Sequence, residues 1–329
     1  MTGMDPSGGA PLGRRAFLAA LGAAAMGGCA PRPVDPRVLR LGCFPNLTHG
    51  PALTLTRSGR LAAALPGVRV RPTLFNAGPA AMSALLAGEV DACFVGPVPA
   101  ASAFLRSHGR ALRVVSGVCS GGASLVLRPG TGALRGRRIG APQLGGTQDI
   151  ALRHYLRTQG LRETTMGGDV FVVNMESANL LALYRQGRLD GAWLPEPWAS
   201  RMIAAGATLR VDERALWPGG DFSTTLLVVR RDYLRDAPRV VDGLVAATRD
   251  EVARFEGDRE GSLASVAEAL RALTGASLPA TVLAGAWSRM RFTADPLRAS
   301  VRTTIRHGQE LAMLPPGGTE GLFDARAGG

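Results

Sequence analysis

The sequence predicts an α/β protein built from parallel sheets with helices on both faces. Short apolar runs of strand length alternate with helical patterns from Val38 to Arg230, and strand–helix alternation is typical of parallel sheets. Seven of the loops that follow the strands are rich in Gly, Asn, Ser and Thr and contain no Arg, although the chain has 38 basic residues. Because ligands of open parallel sheets bind beyond the carboxyl ends of the strands, we expect a binding site in these loops.

The apolar runs place the strands, and glycines and prolines place the helix ends between them. Strands are predicted at Val38–Cys43, Val68–Phe75, Val90–Val95, Leu112–Val118, Ala123–Leu127, Arg138–Ala141, Asp169–Val173, Leu189–Leu194, Leu209–Val211 and Thr224–Val229. After Arg230 the pattern becomes helical, with helices predicted at Pro238–Phe255, Leu263–Leu273, Ala280–Met290 and Pro296–Leu311. Residues 315–329 are predicted to form a loose tail.

Residues 1–28 have the pattern of an export signal, which is cleaved from the chain and is not part of the fold. Arg14-Arg15 precede a short apolar run, and small residues precede Cys29. The arginine pair resembles a twin-arginine signal, and Cys29 with its small neighbours resembles a lipoprotein processing site. We therefore expect Cys29 to be lipidated and residues 29–37, which are rich in proline, to form a tether on the outer face of the cell membrane. An ordinary secretory signal cleaved near Ala30 is the alternative.

Composition bounds the class of protein. About 300 residues remain after the signal, which suggests two domains. The net charge is +12, but every basic residue is arginine and the arginines are scattered, while aromatic residues make up only 5% of the chain. Nucleic-acid binding is therefore not predicted. Histidines and cysteines lack metal-ligand spacing, so we expect neither a metal nor a cofactor, and Cys43, Cys93 and Cys119 are expected as buried thiols, although export would permit one disulfide.

The stretch Gln143–Asp149 is the strongest candidate for a binding loop. It joins a predicted strand to an amphipathic helix and contains two glycines followed by Thr147. Glycine permits close approach of the backbone, and the first N–H groups of a helix, with the positive end of its dipole, bind anions. Gly146, Thr147 and Gln148 are therefore predicted to contact an anion, with Thr147 able to cap the helix. A plain turn and cap is the alternative.

Other loops at strand ends supply further candidates. Asn46 and Asn76 are predicted to donate to a ligand or to cap their own helices. The loop residues Gly96, Pro97, Ser120 and Gly121 are predicted to offer close backbone approach and a hydroxyl group. Trp193 lies at the end of a later strand and is predicted either to contact an organic group of the ligand or to pack in the core. Glu196 follows that strand and is predicted to pair with an ammonium group on the ligand, to repel a second negative charge, or to bond a backbone group or an arginine.

Several loop motifs resemble the sulfonate/nitrate/taurine family of substrate-binding proteins of ABC transporters, with aliphatic sulfonate binders as the nearest members. The likeness runs from about Arg37 to about Arg254. The matching stretches are Phe44–His49, Phe75–Met82, Val95–Ala100, Pro142–Asp149 and Trp193–Ser200.

This resemblance implies a type II periplasmic-binding fold, in which two lobes close on a ligand by hinge motion. Lobe 1 would contain residues 38–127 and 225–314, lobe 2 residues 128–224, and crossing segments would lie near Leu127–Gly130 and Asp221–Leu226. The implied function is capture of a small anionic solute, an aliphatic sulfonate or a taurine-like compound, by a monomeric receptor that delivers it to an ABC permease. Nitrate, a phosphonate or a pyrimidine are alternative ligands, and a sensor subunit is an alternative role. No nucleophile or metalloprotease motif favours an enzyme.

Overall fold

The computed structural model describes residues 34–164 and 167–328, so the predicted export signal and Cys29 lie outside the described residues. The strands, numbered in chain order, are β1 (Val38–Cys43), β2 (Arg69–Leu74), β3 (Ala92–Val95), β4 (Leu112–Gly121), β5 (Ala123–Leu127), β6 (Arg138–Ala141), β7 (Phe171–Asn174), β8 (Gly191–Pro195), β9 (Thr208–Asp212), β10 (Ser223–Arg230) and β11 (Met290–Phe292). Each strand predicted from an apolar run is present; β1, β5 and β6 have the predicted bounds, and the other strands have their ends shifted by a few residues.

Helices connect most of the strands and follow the last long one. They are α1 (Gly50–Arg57), α2 (Arg60–Ala64), α3 (Gly78–Leu86), α4 (Pro97–Arg106), α5 (Thr147–Thr158), α6 (Ser177–Arg185), α7 (Trp198–Ala204), α8 (Arg231–Asp236), α9 (Pro238–Gly257), α10 (Arg259–Thr274), α11 (Ala280–Trp287) and α12 (Arg298–Glu310). Among the described residues, none of these helices combines the length and the apolar character that crossing a membrane requires.

The described strands form two sheets. The first has the order β11-β4-β10-β3-β1-β2, and the second has the order β7-β6-β8-β5-β9. Neighbours among β1, β2 and β3, and among β6, β7 and β8, are parallel, as predicted. The strands that enter or leave each sheet are antiparallel to their neighbours, so both sheets are mixed. We call the part built on the first sheet lobe 1 and the part built on the second sheet lobe 2.

Both faces of each sheet are covered by helices. In β10, Leu227 and Val229 pack into one apolar cluster while Leu226 and Val228 pack into another on the opposite face. The second sheet is likewise flanked by two clusters. Alternate residues of a strand point to opposite faces, so a strand that is buried on both sides must be apolar throughout. This explains why continuous apolar runs predicted the strands correctly.

The chain crosses between the lobes earlier than predicted. β4 lies in the first sheet and β5 in the second, so the first crossing is at Gly122 and not at Leu127–Gly130. The strand β5 therefore belongs to lobe 2. The second crossing lies between Asp212, the last residue of β9, and Ser223, the first residue of β10. Gly121 and Gly122 both have positive φ, at 75° and 74°, which lets two long strands meet without a loop.

The C-terminal region also departs from the prediction. The helix predicted at Ala280–Met290 ends at Trp287, and Met290–Phe292 form the short edge strand β11 beside β4. Residues 315–328 are packed and not loose. Leu322 is buried, and its carbonyl accepts a hydrogen bond of 2.8 Å from the N–H of Val114. Such short pairings depend on the partner strand, and the local sequence does not encode them.

Candidate ligand-binding site

A pocket of about 90 Å³ lies between the two lobes at the carboxyl ends of the parallel strands. Lobe 1 contributes the loops after β1, β2 and β3, and lobe 2 contributes the loops after β6, β7 and β8. The pocket is lined by Phe44, Asn46, Thr48, His49, Asn76, Gly78, Gly96, Pro99, Pro142, Gln143, Gly146, Thr147, Gln148, Ser177, Pro195 and Thr224. We call it the interlobe pocket. It brings together the predicted residues Asn46, Asn76, Gly96, Gly146, Thr147 and Gln148.

The start of helix α5 forms the lobe 2 wall of the interlobe pocket. Gly146 is the N-cap residue and makes no side-chain cap, so Thr147 is the first helical residue and does not cap the helix as predicted. The N–H groups of the first turn have no acceptor within the helix and carry the positive end of its dipole. Thr147 and Gln148 therefore present two such N–H groups at the pocket.

A buried ion pair within helix α5 holds the loop that precedes this helix. The N–H of Gly145, whose φ is 73°, donates to the Asp149 carboxylate at 2.9 Å. Asp149 is fully buried and is paired with Arg153, one turn along the helix, at 2.8 Å. Asn174 donates to the same carboxylate at 3.0 Å. The loop conformation thus depends on a network in which each buried polar atom of Asp149 is satisfied.

The hydroxyl of Thr147 connects the two lobes. Its oxygen accepts a hydrogen bond of 3.4 Å from the N–H of Val98, in the first turn of helix α4. Both neighbours of Val98 are prolines, which have no N–H to donate. Pro97, a predicted site residue, is the first residue of this helix and does not line the interlobe pocket. The start of α4 therefore contacts lobe 2 through the Val98 N–H group.

Gln143 makes a second connection across the pocket, which the sequence did not single out. Its side-chain oxygen accepts from the N–H of Gly78 at 3.0 Å, and its amide nitrogen donates to the carbonyl of Asn76. Gln143 has a φ of 46°, the left-handed region, as part of the tight turn before α5. The two bonds occupy the backbone of the loop after β2. Asn76 therefore contributes its carbonyl to the contact between the lobes, and it is an exposed residue at the rim of the interlobe pocket.

Asn46 lies at the opposite wall and contacts lobe 2 through a tryptophan. It precedes a short 3₁₀ helix at Leu47–His49 but makes no capping hydrogen bond. Its side-chain oxygen accepts from the indole N–H of Trp198 at 3.0 Å. The amide of Asn46 can then donate only through its nitrogen. The sequence left two roles open for Asn46, capping of its own helix and donation to a ligand, and the structure excludes capping.

His49 lines the interlobe pocket as a neutral side chain. It is 6% exposed, packs against Phe44 with ring centroids 4.9 Å apart, and its Nδ1 has no hydrogen-bond partner among the described residues. Burial lowers the pKa of His49 to about 3, so its charge does not change at physiological pH. A neutral imidazole can donate through one nitrogen and accept through the other. The loop motif after β1 marked this residue, but its chemical role needs the fold.

Besides Pro97, four predicted residues lie outside the interlobe pocket, and two of them are near the lobe crossings. The Ser120 hydroxyl donates to Asp221 at 3.1 Å and accepts from the N–H of Phe222 at 3.3 Å, so it fastens the second crossing. Gly121 forms the first crossing, where a Cβ would lie 2.5 Å from the carbonyl of Arg289. Both residues hold the lobe connections together and do not reach a ligand in this pocket.

Trp193 and Glu196 also have other partners. Trp193 is fully buried and donates to the Glu213 carboxylate at 2.7 Å, in a separate aromatic cavity. Glu196 is fully buried, accepts from the N–H of Ser200 at 3.1 Å and pairs with Arg289 at 2.8 Å. Burial raises the pKa of Glu196, and the Arg289 guanidinium opposes that rise. Of the roles that the sequence left open for Glu196, the structure shows the bonds to a backbone N–H and to an arginine of lobe 1.

The interlobe pocket therefore offers neutral donors to a ligand. Its lining, all within the described residues, contains no arginine, in agreement with the composition of the predicted loops. Ser177 and Thr224, which the sequence did not single out, add hydroxyl groups. No group of His, Cys, Asp and Glu in the described part of the chain has the arrangement of a metal site. Backbone N–H and hydroxyl donors converging in a small pocket are suited to an oxyanion.

Comparison with known proteins agrees with this architecture. A taurine-binding periplasmic protein of Escherichia coli K12 is 24% identical over 179 residues, which is 54% of each chain, so the aligned region spans about half of that relative. The structure of the alkanesulfonate-binding protein SsuA from Xanthomonas axonopodis pv. citri, bound to MOPS, superposes with a TM-score of 0.71 at 22% identity, over 86% of this chain and 96% of that one. The nitrate-binding protein NrtA from Synechocystis PCC 6803 gives a TM-score of 0.67 at 13% identity, over 85% and 83%.

These likenesses confirm the two-lobed α/β fold that the sequence resemblance implied. The sequence profile of the NMT1-like family matches residues 32–271, which include most of lobe 1 and all of lobe 2. The same residues carry every loop that lines the interlobe pocket. The chain therefore belongs to the NMT1-like family.

Proposed function

We propose that the chain is the extracytoplasmic solute-binding component of an ABC importer and captures a small anionic organic solute, an aliphatic sulfonate or a taurine-like compound. The observation that carries the proposal is the interlobe pocket, where the first N–H groups of α5 and the Thr147 hydroxyl meet the loops of lobe 1. Binding by two lobes at once draws them together, and the closed form is the one that a permease recognises. The protein acts as a monomer and performs no chemistry on its ligand.

The chemistry of the pocket supports an oxyanion that is always charged. A sulfonate remains ionised at physiological pH and presents three acceptor oxygens, which neutral N–H and O–H donors can satisfy. The names of the Escherichia coli and Xanthomonas relatives, a taurine-binding and an alkanesulfonate-binding protein, support the same class. The size of the pocket favours a compact headgroup over a pyrimidine, because about 90 Å³ is smaller than the roughly 150 Å³ cavity that holds one benzene ring.

The ligand class can be tested by thermal shift against a panel of small anions. We expect at least one alkyl or aryl sulfonate to raise the melting temperature by several degrees, since a ligand at a hundredfold excess over Kd stabilises by about 2.7 kcal/mol. The matching carboxylate should give a smaller shift because it has one acceptor oxygen fewer. A response to nitrate, a phosphonate or a pyrimidine with none to any sulfonate would assign the protein to another ligand class.

We further propose that the protein is exported and held on the outer face of the membrane by lipid attached to Cys29, with residues 29–37 as a tether. The arginine pair Arg14-Arg15, the apolar run and the small residues before Cys29 support this localisation. A receptor that delivers solute to a permease benefits from such anchoring, since tethering raises its effective concentration at the membrane.

The anchor can be tested by replacing the predicted lipidation site. We expect Cys29→Ala to move the protein from the membrane fraction to the soluble exported fraction, because the thioether that carries the lipid cannot form. Cys119→Ala, which removes a buried thiol of β4, is the matched control and should leave the protein in the membrane fraction. Unacylated wild-type protein that begins at Ala30 or later would contradict lipidation and indicate an ordinary secretory signal.

A further inference from the structure

A second cavity, of about 180 Å³, adjoins the interlobe pocket at Thr147. Its walls are aromatic. Tyr155 and Trp193 lie in lobe 2 with ring centroids 5.4 Å apart, and Trp217 stacks on Phe222 in the second crossing at 5.6 Å. Helix α12 of lobe 1 closes the remaining side. We call this space the aromatic cavity, and none of the roles proposed above uses it.

A carboxylate without a cationic partner lies in the wall of the aromatic cavity. Glu213 is 4% exposed and accepts hydrogen bonds from the indole N–H groups of Trp193 at 2.7 Å and Trp217 at 3.4 Å. Among the described residues it forms no ion pair. Neutral indole donors satisfy some of its lone pairs but do not balance its charge. Burial raises the pKa of Glu213 to about 7, which shows how weakly its surroundings support the charged form.

Glu213 is an exception among the buried acids of this chain. In the described residues, the other carboxylates with buried side chains each pair with an arginine, namely Asp91 with Arg40, Asp149 with Arg153, Glu196 with Arg289 and Glu251 with Arg60. The chain has 38 basic residues from which a partner could be drawn. A buried charge without a partner is costly, and a cation that enters the adjoining cavity can supply the partner that Glu213 lacks.

The other titratable groups near the cavity do not supply that cation. His154 and His307 stack on each other across its edge with centroids 3.4 Å apart. Burial lowers the pKa of His154, and it lowers the pKa of His307 to about 4, so both rings are neutral at physiological pH. Arg157, Arg306 and Glu310 surround the histidine pair and Asp212 lies beside Glu213, but none of them lines the cavity.

We propose that the aromatic cavity is a second binding site, which takes a small organic cation with an apolar or aromatic body. Aromatic faces attract cations, and the attraction strengthens when both groups are desolvated. Glu213 provides the countercharge at the wall, and the indole N–H groups hold its carboxylate in place. A volume of about 180 Å³ exceeds the roughly 150 Å³ that accommodates one benzene ring, so a single ring bearing an ammonium group fits.

Two soluble probes of the same shape test this proposal. Benzylammonium and benzyl alcohol differ in charge, and benzylammonium stays protonated at both about pH 8 and about pH 5.5. Binding to the full chain is followed by quenching of the Trp193 and Trp217 fluorescence and by calorimetry. We expect benzylammonium to bind at least about tenfold more tightly than benzyl alcohol at the higher pH. At the lower pH the preference should vanish, because Glu213 is protonated below its pKa of about 7.

Variants of the protein show whether the preference depends on the charge of Glu213, and whether it belongs to the aromatic cavity or to the interlobe pocket. Glu213→Gln retains an acceptor for the indoles and should abolish the preference for benzylammonium at about pH 8, while the exposed Glu310→Gln should retain it. Asn76→Ala, in the interlobe pocket, should also retain it. If Glu213→Gln fails to fold, the comparison of the two pH values on unmodified protein still tests whether the charge of Glu213 produces the preference. Equal affinity for both probes, no binding of benzylammonium at millimolar concentration, or mutually exclusive binding with the best sulfonate would each overturn the proposal.

Discussion

Replacing Gly96 by alanine is expected to weaken sulfonate binding by at least about fivefold while each lobe keeps its fold. A Cβ at this position would lie 2.5 Å from the Thr147 hydroxyl oxygen of the opposite lobe, and a real Cβ does not approach another atom so closely. Within its own lobe the nearest neighbour, the carbonyl of Thr224, is at 3.6 Å, which is ordinary contact. The backbone of Gly96, at φ −68° and ψ 157°, is accessible to any residue.

The cost of this substitution therefore falls on the approach of the two lobes. A forced contact of this kind costs about 1–3 kcal/mol, which corresponds to about a five- to 150-fold loss of affinity. Calorimetric titration with the best sulfonate from the thermal-shift panel measures it. Gly132→Ala is the matched control, because its Cβ would meet nothing within 4 Å, and it should bind like the wild type.

A double-mutant cycle assigns the effect to the contact itself. Thr147→Ala removes the hydroxyl that Gly96→Ala would strike, so Gly96→Ala should cost less than about threefold when it is added to Thr147→Ala. Thr147→Ala alone should weaken binding through the lost donor. An undiminished loss in the double variant would show that Gly96 acts on the ligand directly, and wild-type affinity of Gly96→Ala would remove this contact from the site.

The contrast between Thr147 and Glu196 shows how far the sequence could lead. Gly146 and Thr147 follow a strand and begin a helix within seven residues, and local order alone brings their N–H groups to the strand end. Glu196 has an equally suggestive position between two prolines, but its partner Arg289 is 93 residues away and in the other lobe. The sequence predicts that a carboxylate needs a partner if it is buried, but only the tertiary fold determines which residue that partner is.

The same limit applies to the aromatic cavity. The sequence predicts that Trp193 lies at a strand end, but the alternation of side chains along a strand does not say which side of the sheet its ring occupies until the register is known. The cavity also requires Trp217 and Phe222, which follow the last strand of lobe 2 without regular periodicity. Glu213 could not be found by motif, since its distinguishing property is the lack of an arginine partner in three dimensions.

The largest effect on stability is expected for Arg153→Met. Arg153 is 9% exposed and pairs with the fully buried Asp149 at 2.8 Å, contacts Glu163 and donates to Asn174 at 3.2 Å. Removing one partner of a buried ion pair leaves an uncompensated charge and costs about 3–5 kcal/mol. Methionine preserves most of the apolar stem, so the loss reports on the charge. We expect a decrease of this size in the free energy of unfolding, measured by chemical denaturation.

Two further variants test whether the loss of stability in Arg153→Met arises from the burial of the ion pair. Arg271→Met breaks a pair with Glu268 in which the two side chains are 56% and 61% exposed, so it should leave the free energy of unfolding nearly unchanged. Adding Asp149→Asn to Arg153→Met removes the stranded charge and should recover part of the stability. The recovered protein should still bind sulfonate less tightly, because the Asp149 carboxylate is the acceptor that fixes Gly145 before α5. A similar small loss for Arg153→Met and Arg271→Met would mean that the Asp149 network does not support the loop.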